Sequence, residues 1–152
     1  MILLSYLTVM PINDSMDIAP SLRAVLIRLA RELRREIHSL GVTNSQVSLL
    51  VAIDQTPGIT ATTLAEHERI SAAAMSGQLK HLEVAGLIKR ERATDRRRVG
   101  VTITRDGTRV LRSVRQKRTA WLTQRLAGLT PAEREAIERA IEPLEKLLGA
   151  GK

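Results

Sequence analysis

Apolar residues recur every three or four positions along most of this chain, interrupted once by a stretch of alternation. After Pro20, the spacing of Leu22, Val25, Leu26, Leu29, Leu33, Ile37 and Leu40 predicts a helix stopped at Gly41. Its other face carries Arg23, Arg28, Arg31, Arg34 and Arg35. Thr43 can cap a second helix that turns Val47, Leu50, Val51 and Ile53 inward. Pro57-Gly58 signals a turn. Thr60 then caps a short helix, Ala61 to about His67, with Leu64 and Ala65 on its inner face. Ile70 leads into another helix, about Ser71 to Ala85, whose buried stripe is Met75, Leu79 and Leu82. Gly86 follows the last periodic residue, where a left-handed residue stops a helix.

The period then falls to two. Leu87–Ala93 and Arg98–Ile103 read as strands around a charged turn, Thr94–Arg97, with Val99, Val101 and Ile103 facing inward. Helical spacing resumes after Thr104-Arg-Asp-Gly with Val110, Leu111, Val114, Trp121, Leu122 and Leu126, and Gly128 punctuates it. Thr130-Pro-Ala-Glu133 combines a cap, a proline at the first helical position and a capping-box glutamate. The last helix is expected to bury Ile137, Ile141, Leu144, Leu147 and Leu148, with a kink at Pro143. The fold class is therefore mainly α with a small β-hairpin wing. A winged helix-turn-helix (residues 43–104) is flanked by an N-terminal dimerisation helix (21–42) and C-terminal dimerisation helices (105–152). Residues 1–20 form a leader expected to be poorly ordered. The outer apolar stripes exceed what a small winged core can cover, which predicts a homodimer.

Charge sharpens the choice of partner. A formal net charge of +8 and a pI near 11.0 mark a polyanion binder, with basic residues clustered from Lys80 to Arg98. One Trp, one Tyr and no Phe leave no stacking platform for single strands. Double-stranded DNA is the ligand this composition favours. The absence of cysteine excludes disulfide scaffolds and thiolate metal sites. The opening MILLSYLTVM is too short to span a bilayer and lacks a basic flank, so a cytoplasmic protein without membrane attachment is expected.

Three segments resemble the MarR family of bacterial transcription regulators: Leu64-Ala-Glu66, Leu82-Glu-Val-Ala-Gly-Leu87, and Asp95-Arg-Arg97 followed by Val101-Thr-Ile-Thr104-Arg-Asp-Gly107. The resemblance covers about Ser21 to Leu148. It implies a homodimer on a palindromic operator, in many relatives a repressor released by a small-molecule effector. It also implies that Arg97 enters the minor groove from the wing while Asp95 holds the wing tip in shape.

The residues expected to meet DNA are Ser71, Ala73, Ala74, Ser76, Gly77, Lys80 and His81 on the second motif helix, with Asp95, Arg96, Arg97 and Arg98 on the wing. Gly77 stands where relatives often carry a larger donor; close approach to DNA and a neutral substitution both account for it. Gln78 borders the buried stripe and is expected at the domain edge, off the bases. His38, His67 and His81 fall on separate helices without a metal-binding spacing, so neither metal nor cofactor is expected. No phosphate loop or paired nucleophile points to an enzyme. The competing reading, a winged-helix protein–protein or dimerisation module, has little use for three successive arginines.

Overall fold

The computed structural model describes residues 15–92 and 99–149. The chain divides into two compact units, one ending at Arg35 and one beginning at Glu36. The described part of the first is a helix, α1 (Ser15–Arg35). It starts before Pro20 rather than after it, so the last residues of the expected leader are helical; residues 1–14 lie outside the described residues. Pro20 lacks the N–H that would reach the Met16 carbonyl, one missing rung in a 21-residue helix. The helix also ends sooner than its periodicity predicted. Ile37 is fully buried and Leu40 packs beside it, but both belong to the core of the second unit. There a single 3-10 turn (His38–Leu40) closes on Gly41, whose φ of 68° is left-handed.

In the second unit, Thr43 and Gln46 form a capping box at the start of α2 (Asn44–Gln55). This helix buries Val47, Leu49, Leu50 and Ile53, while Val51 is only half-buried. Leu49 was missed because α2 packs against both α5 (Arg105–Ala127) and the sheet, so its apolar surface is wider than one stripe. A two-residue strand β1 (Ile59–Thr60), too short to show any period, precedes α3 (Ala61–Glu68) and α4 (Ala72–Val84). Strands β2 (Ile88–Arg92) and β3 (Val99–Ile103) pair antiparallel, and β1 adds to the far side of β3. Gly58, at φ +83°, bonds its N–H to the Val101 carbonyl and presses on Gly100, where a Cβ would lie 2.7 Å from the Gly58 carbonyl oxygen. The Pro57-Gly58 turn thus seats the third strand. Val101 is buried as expected, but Val99 is exposed: β1 pairs no further along β3 than Gly100.

Leu64, Met75, Leu79, Leu82, Ile88, Val101, Leu111 and Val114 join α2 in one core. Of the apolar positions on α5, Leu111, Val114 and Trp121 are buried, Val110 and Leu126 are half-buried, and Leu122 is exposed. The helix α6 (Pro131–Gly149) buries none of its residues within the single chain. Ile141 is 52% and Leu148 84% exposed, Ile137 and Leu147 are also exposed, and Leu144 is half-buried. The apolar stripe is real, and no described residue of the second unit buries it. The helix runs on through Pro143.

Candidate nucleic-acid interface

Two caps and one strained residue set the angle between α3 and α4. The Thr60 hydroxyl accepts from the Thr63 N–H at 3.2 Å and starts α3. Arg69 ends it in the left-handed region (φ 54°), at a cost of roughly 1–2 kcal/mol for a non-glycine residue. That conformation lets the Ile70 N–H reach back to the Ala65 carbonyl at 3.0 Å. Ser71 then caps α4, its hydroxyl accepting from the Ala74 N–H at 3.1 Å. The sequence carried no signal for Arg69, since propensity alone favours glycine or asparagine there.

Met75, Leu79 and Leu82 are fully buried and fix which way α4 faces. Ser71, Ala73, Ala74, Ser76, Gly77, Lys80 and His81 are all exposed, and the expected contact residues of this helix therefore share its open side. Lys80 forms no ion pair among the described residues, so its ammonium is available to a phosphate or a guanine. Gly77 needs to be glycine for no reason internal to the protein: its φ is not left-handed, and a Cβ there would meet nothing within 4 Å. Gln78 is half-buried at the edge of the stripe, as expected, and its Oε1 accepts from the Ser45 hydroxyl of α2 at 3.1 Å. That partner stands 33 positions away and left no trace in the sequence pattern.

Part of the basic cluster is spent on structure. Arg90 Nε lies 3.2 Å from Glu83 Oε2, tying β2 to the last turn of α4, and Lys89 pairs with Glu91 along β2. Asp95, Arg96, Arg97 and Arg98 lie outside the described residues; the flanking strands close in register at Arg92 opposite Val99. The base of the hairpin is anchored by Thr104, whose hydroxyl donates to the Gly86 carbonyl at 2.6 Å and accepts from the Gly107 N–H at 3.1 Å. His38, His67 and His81 occupy three separate elements, and among the described residues no three His, Asp or Glu side chains gather as a metal set. No helix among them is long and apolar enough to cross a membrane.

Comparison with known proteins gives this geometry a context. The model of the MarR family matches residues 42–99, from the residue before the α2 cap to the start of β3. An HTH-type transcriptional regulator of Mycobacterium bovis is 30% identical over 132 residues, 86% of this chain and 92% of the relative. An HTH-type transcriptional repressor of the same organism is 29% identical over 133 residues, 84% of this chain and 95% of its own. The crystal structure of a protein from Pseudomonas aeruginosa, described as a transcriptional regulator, superposes with a TM-score of 0.76 at 33% identity, covering 93% of this chain and all of the other.

Proposed function

The chain belongs to the MarR family of non-enzymatic, DNA-binding transcription regulators, and from that premise we propose that it acts as a homodimeric repressor reading a palindromic duplex operator. The observation that carries this reading is the two-sided character of α4. Three fully buried side chains hold one side in the core, and the other side offers only small or donor-bearing groups to a major groove. Ser71, Ser76, Lys80 and His81 supply polar contacts, while Ala73 and Ala74 suit thymine methyl groups. On the wing, Arg97 reaches the minor groove and Arg96 and Arg98 meet flanking phosphates, with Asp95 shaping the tip.

Support for dimerisation comes from an apolar face that the described residues of the second unit leave uncovered. Ile137, Ile141, Leu147 and Leu148 line an apolar face on α6. Residues 105–152, with the N-terminal helix, are assigned to the dimer interface, and 43–104 to DNA binding. A two-fold dimer sets its recognition helices about one helical turn apart, ~10 bp between half-site centres. The protein works in the cytoplasm, and a small-molecule effector lowers its operator affinity.

Selection of bound duplexes from a random pool, paired with sedimentation of the free chain, tests the proposal. The expected result is an inverted repeat bound by two chains. A monomer, or a bound pool without a repeat, sinks it.

A further inference from the structure

We propose that Gln78 is a positioning residue for DNA binding: tied to Ser45, it fixes how α4 lies against the first turn of α2 and touches no DNA itself. This rests on the reading that the open side of α4 meets DNA. The buried stripe decides which side of α4 faces the core. That close packing already resists displacement, and a directional bond on the flank of the stripe adds a constraint on the remaining small rolls of the helix. A hydrogen bond is directional and falls off steeply with distance and angle. Gln78 is well placed to supply that constraint. It sits three residues after Met75 and four before Leu82, on the flank of the stripe, next to Gly77 and two residues before Lys80. Its Oε1 accepts from Ser45 Oγ at 3.1 Å.

The surface it is tied to is itself held twice. The Thr43 N–H donates to Gln46 Oε1 at 2.9 Å and the Gln46 N–H to Thr43 Oγ1 at 3.2 Å, which locks the first turn of α2. Beside Ser45, Asn44 Oδ1 accepts from Arg118 Nη2 of α5 at 3.2 Å. Ser45 thus belongs to a frame built from two core helices, and Gln78 carries that frame to the contact face. Neither side chain fills core volume, so replacing either leaves the fold intact.

Operator affinity of the full chain is measured for wild type, Ser45→Ala, Gln78→Ala and the double variant, across a salt series well below the melting temperature. Each single variant should bind measurably more weakly, by at most the roughly two- to tenfold that one net hydrogen bond converts to, since the bond also forms in the free protein. The double variant should be no weaker than the weaker single, because both remove the same bond. Salt slopes should be unchanged, since no phosphate contact is lost. Ser45→Thr, which keeps the hydroxyl, should bind like wild type. Additive losses, a salt slope that flattens with Gln78→Ala, Ser45→Thr as weak as Ser45→Ala, or singles that bind like wild type each overturn the assignment. Wild type that binds no duplex at all removes the DNA-facing reading of α4 and this role together; wild type that binds, with additive variants, removes only the role of Gln78.

Discussion

The carbonyl oxygen of Leu87 occupies the space where a side chain at Gly107 would begin. The same carbonyl accepts the Thr104 N–H at 3.0 Å, so it is pinned and cannot withdraw. Ile103 Cγ1 would stand 2.6 Å from the added carbon on another side. Alanine would gain helix propensity, about 1 kcal/mol. Overpacking against fixed backbone costs about 1–3 kcal/mol and should outweigh that gain. Gly107→Ala is expected to melt below wild type, and a melting temperature at or above it would refute the contact.

The buried and open sides of α4 should separate cleanly by mutation. Leu82→Ala removes a fully buried side chain and is expected to cost ~2–5 kcal/mol in urea unfolding. Lys80→Ala should leave unfolding within about 0.5 kcal/mol of wild type, as exposed substitutions do. Its effect belongs in the binding curve: weaker duplex binding, with a salt slope reduced by about 1 if the ammonium meets a phosphate. Equal stability for Leu82→Ala and wild type would mean that α4 faces the other way.

These two sites also mark how far the sequence alone reaches. The stripe of α4 and the stop at Gly86 were legible, because periodicity and helix termination are local properties; the cap at Ser71, read as the first helical residue, came from the structure. The Thr104-to-Gly107 run was legible as a motif, but its reason, the carbonyl of Leu87, comes from a different strand-turn segment. Ser45 with Gln78, Gly58 with Gly100, and Arg90 with Glu83 are contacts between segments distant in sequence or facing elements, and no spacing rule encodes them. On α6 the stripe was legible, and what covers it was not. Periodicity identifies an apolar face without saying which chain covers it.

The start of α6 should respond to acid. Glu133 accepts from both the N–H and the hydroxyl of Thr130, each at 2.8 Å. The backbone bond first, then the hydroxyl bond, hold its carboxyl below the ordinary carboxylate range, and slight desolvation opposes them. A carboxylate depressed in the folded state contributes stability above its unfolded pKa and loses it as pH falls through the folded pKa. The melting temperature should therefore be less sensitive to acid in Glu133→Gln than in wild type. Identical acid profiles would show that the capping box adds no pH-dependent stability.

On the wing, the sign of one substitution is informative. Asp95 is an anion beside arginines 96 to 98, and on net charge alone its removal should tighten duplex binding. If Asp95 instead organises the tip, Asp95→Ala should weaken binding, and Arg97→Ala should reduce the preference for A·T-rich flanks. Binding titrations on operators with A·T-rich and G·C-rich flanks distinguish the two, and tighter binding by Asp95→Ala would rule out the organising role.

Gly77 sets stability against function within a single residue. A glycine inside a helix costs roughly 0.5–1 kcal/mol relative to alanine, and here the protein recovers none of it through packing or a special backbone angle. Gly77→Ala should therefore raise the melting temperature, since the new methyl group meets only open space. If the bare backbone at this point lets DNA approach the helix closely, the same methyl group must weaken operator binding. The two effects then have opposite signs, which a general loss of folding cannot imitate. Calorimetry and operator titration on the same preparation provide the comparison. A variant that is more stable and binds the operator as tightly as wild type would make Gly77 a neutral position, and the close approach would have to be sought elsewhere along α4.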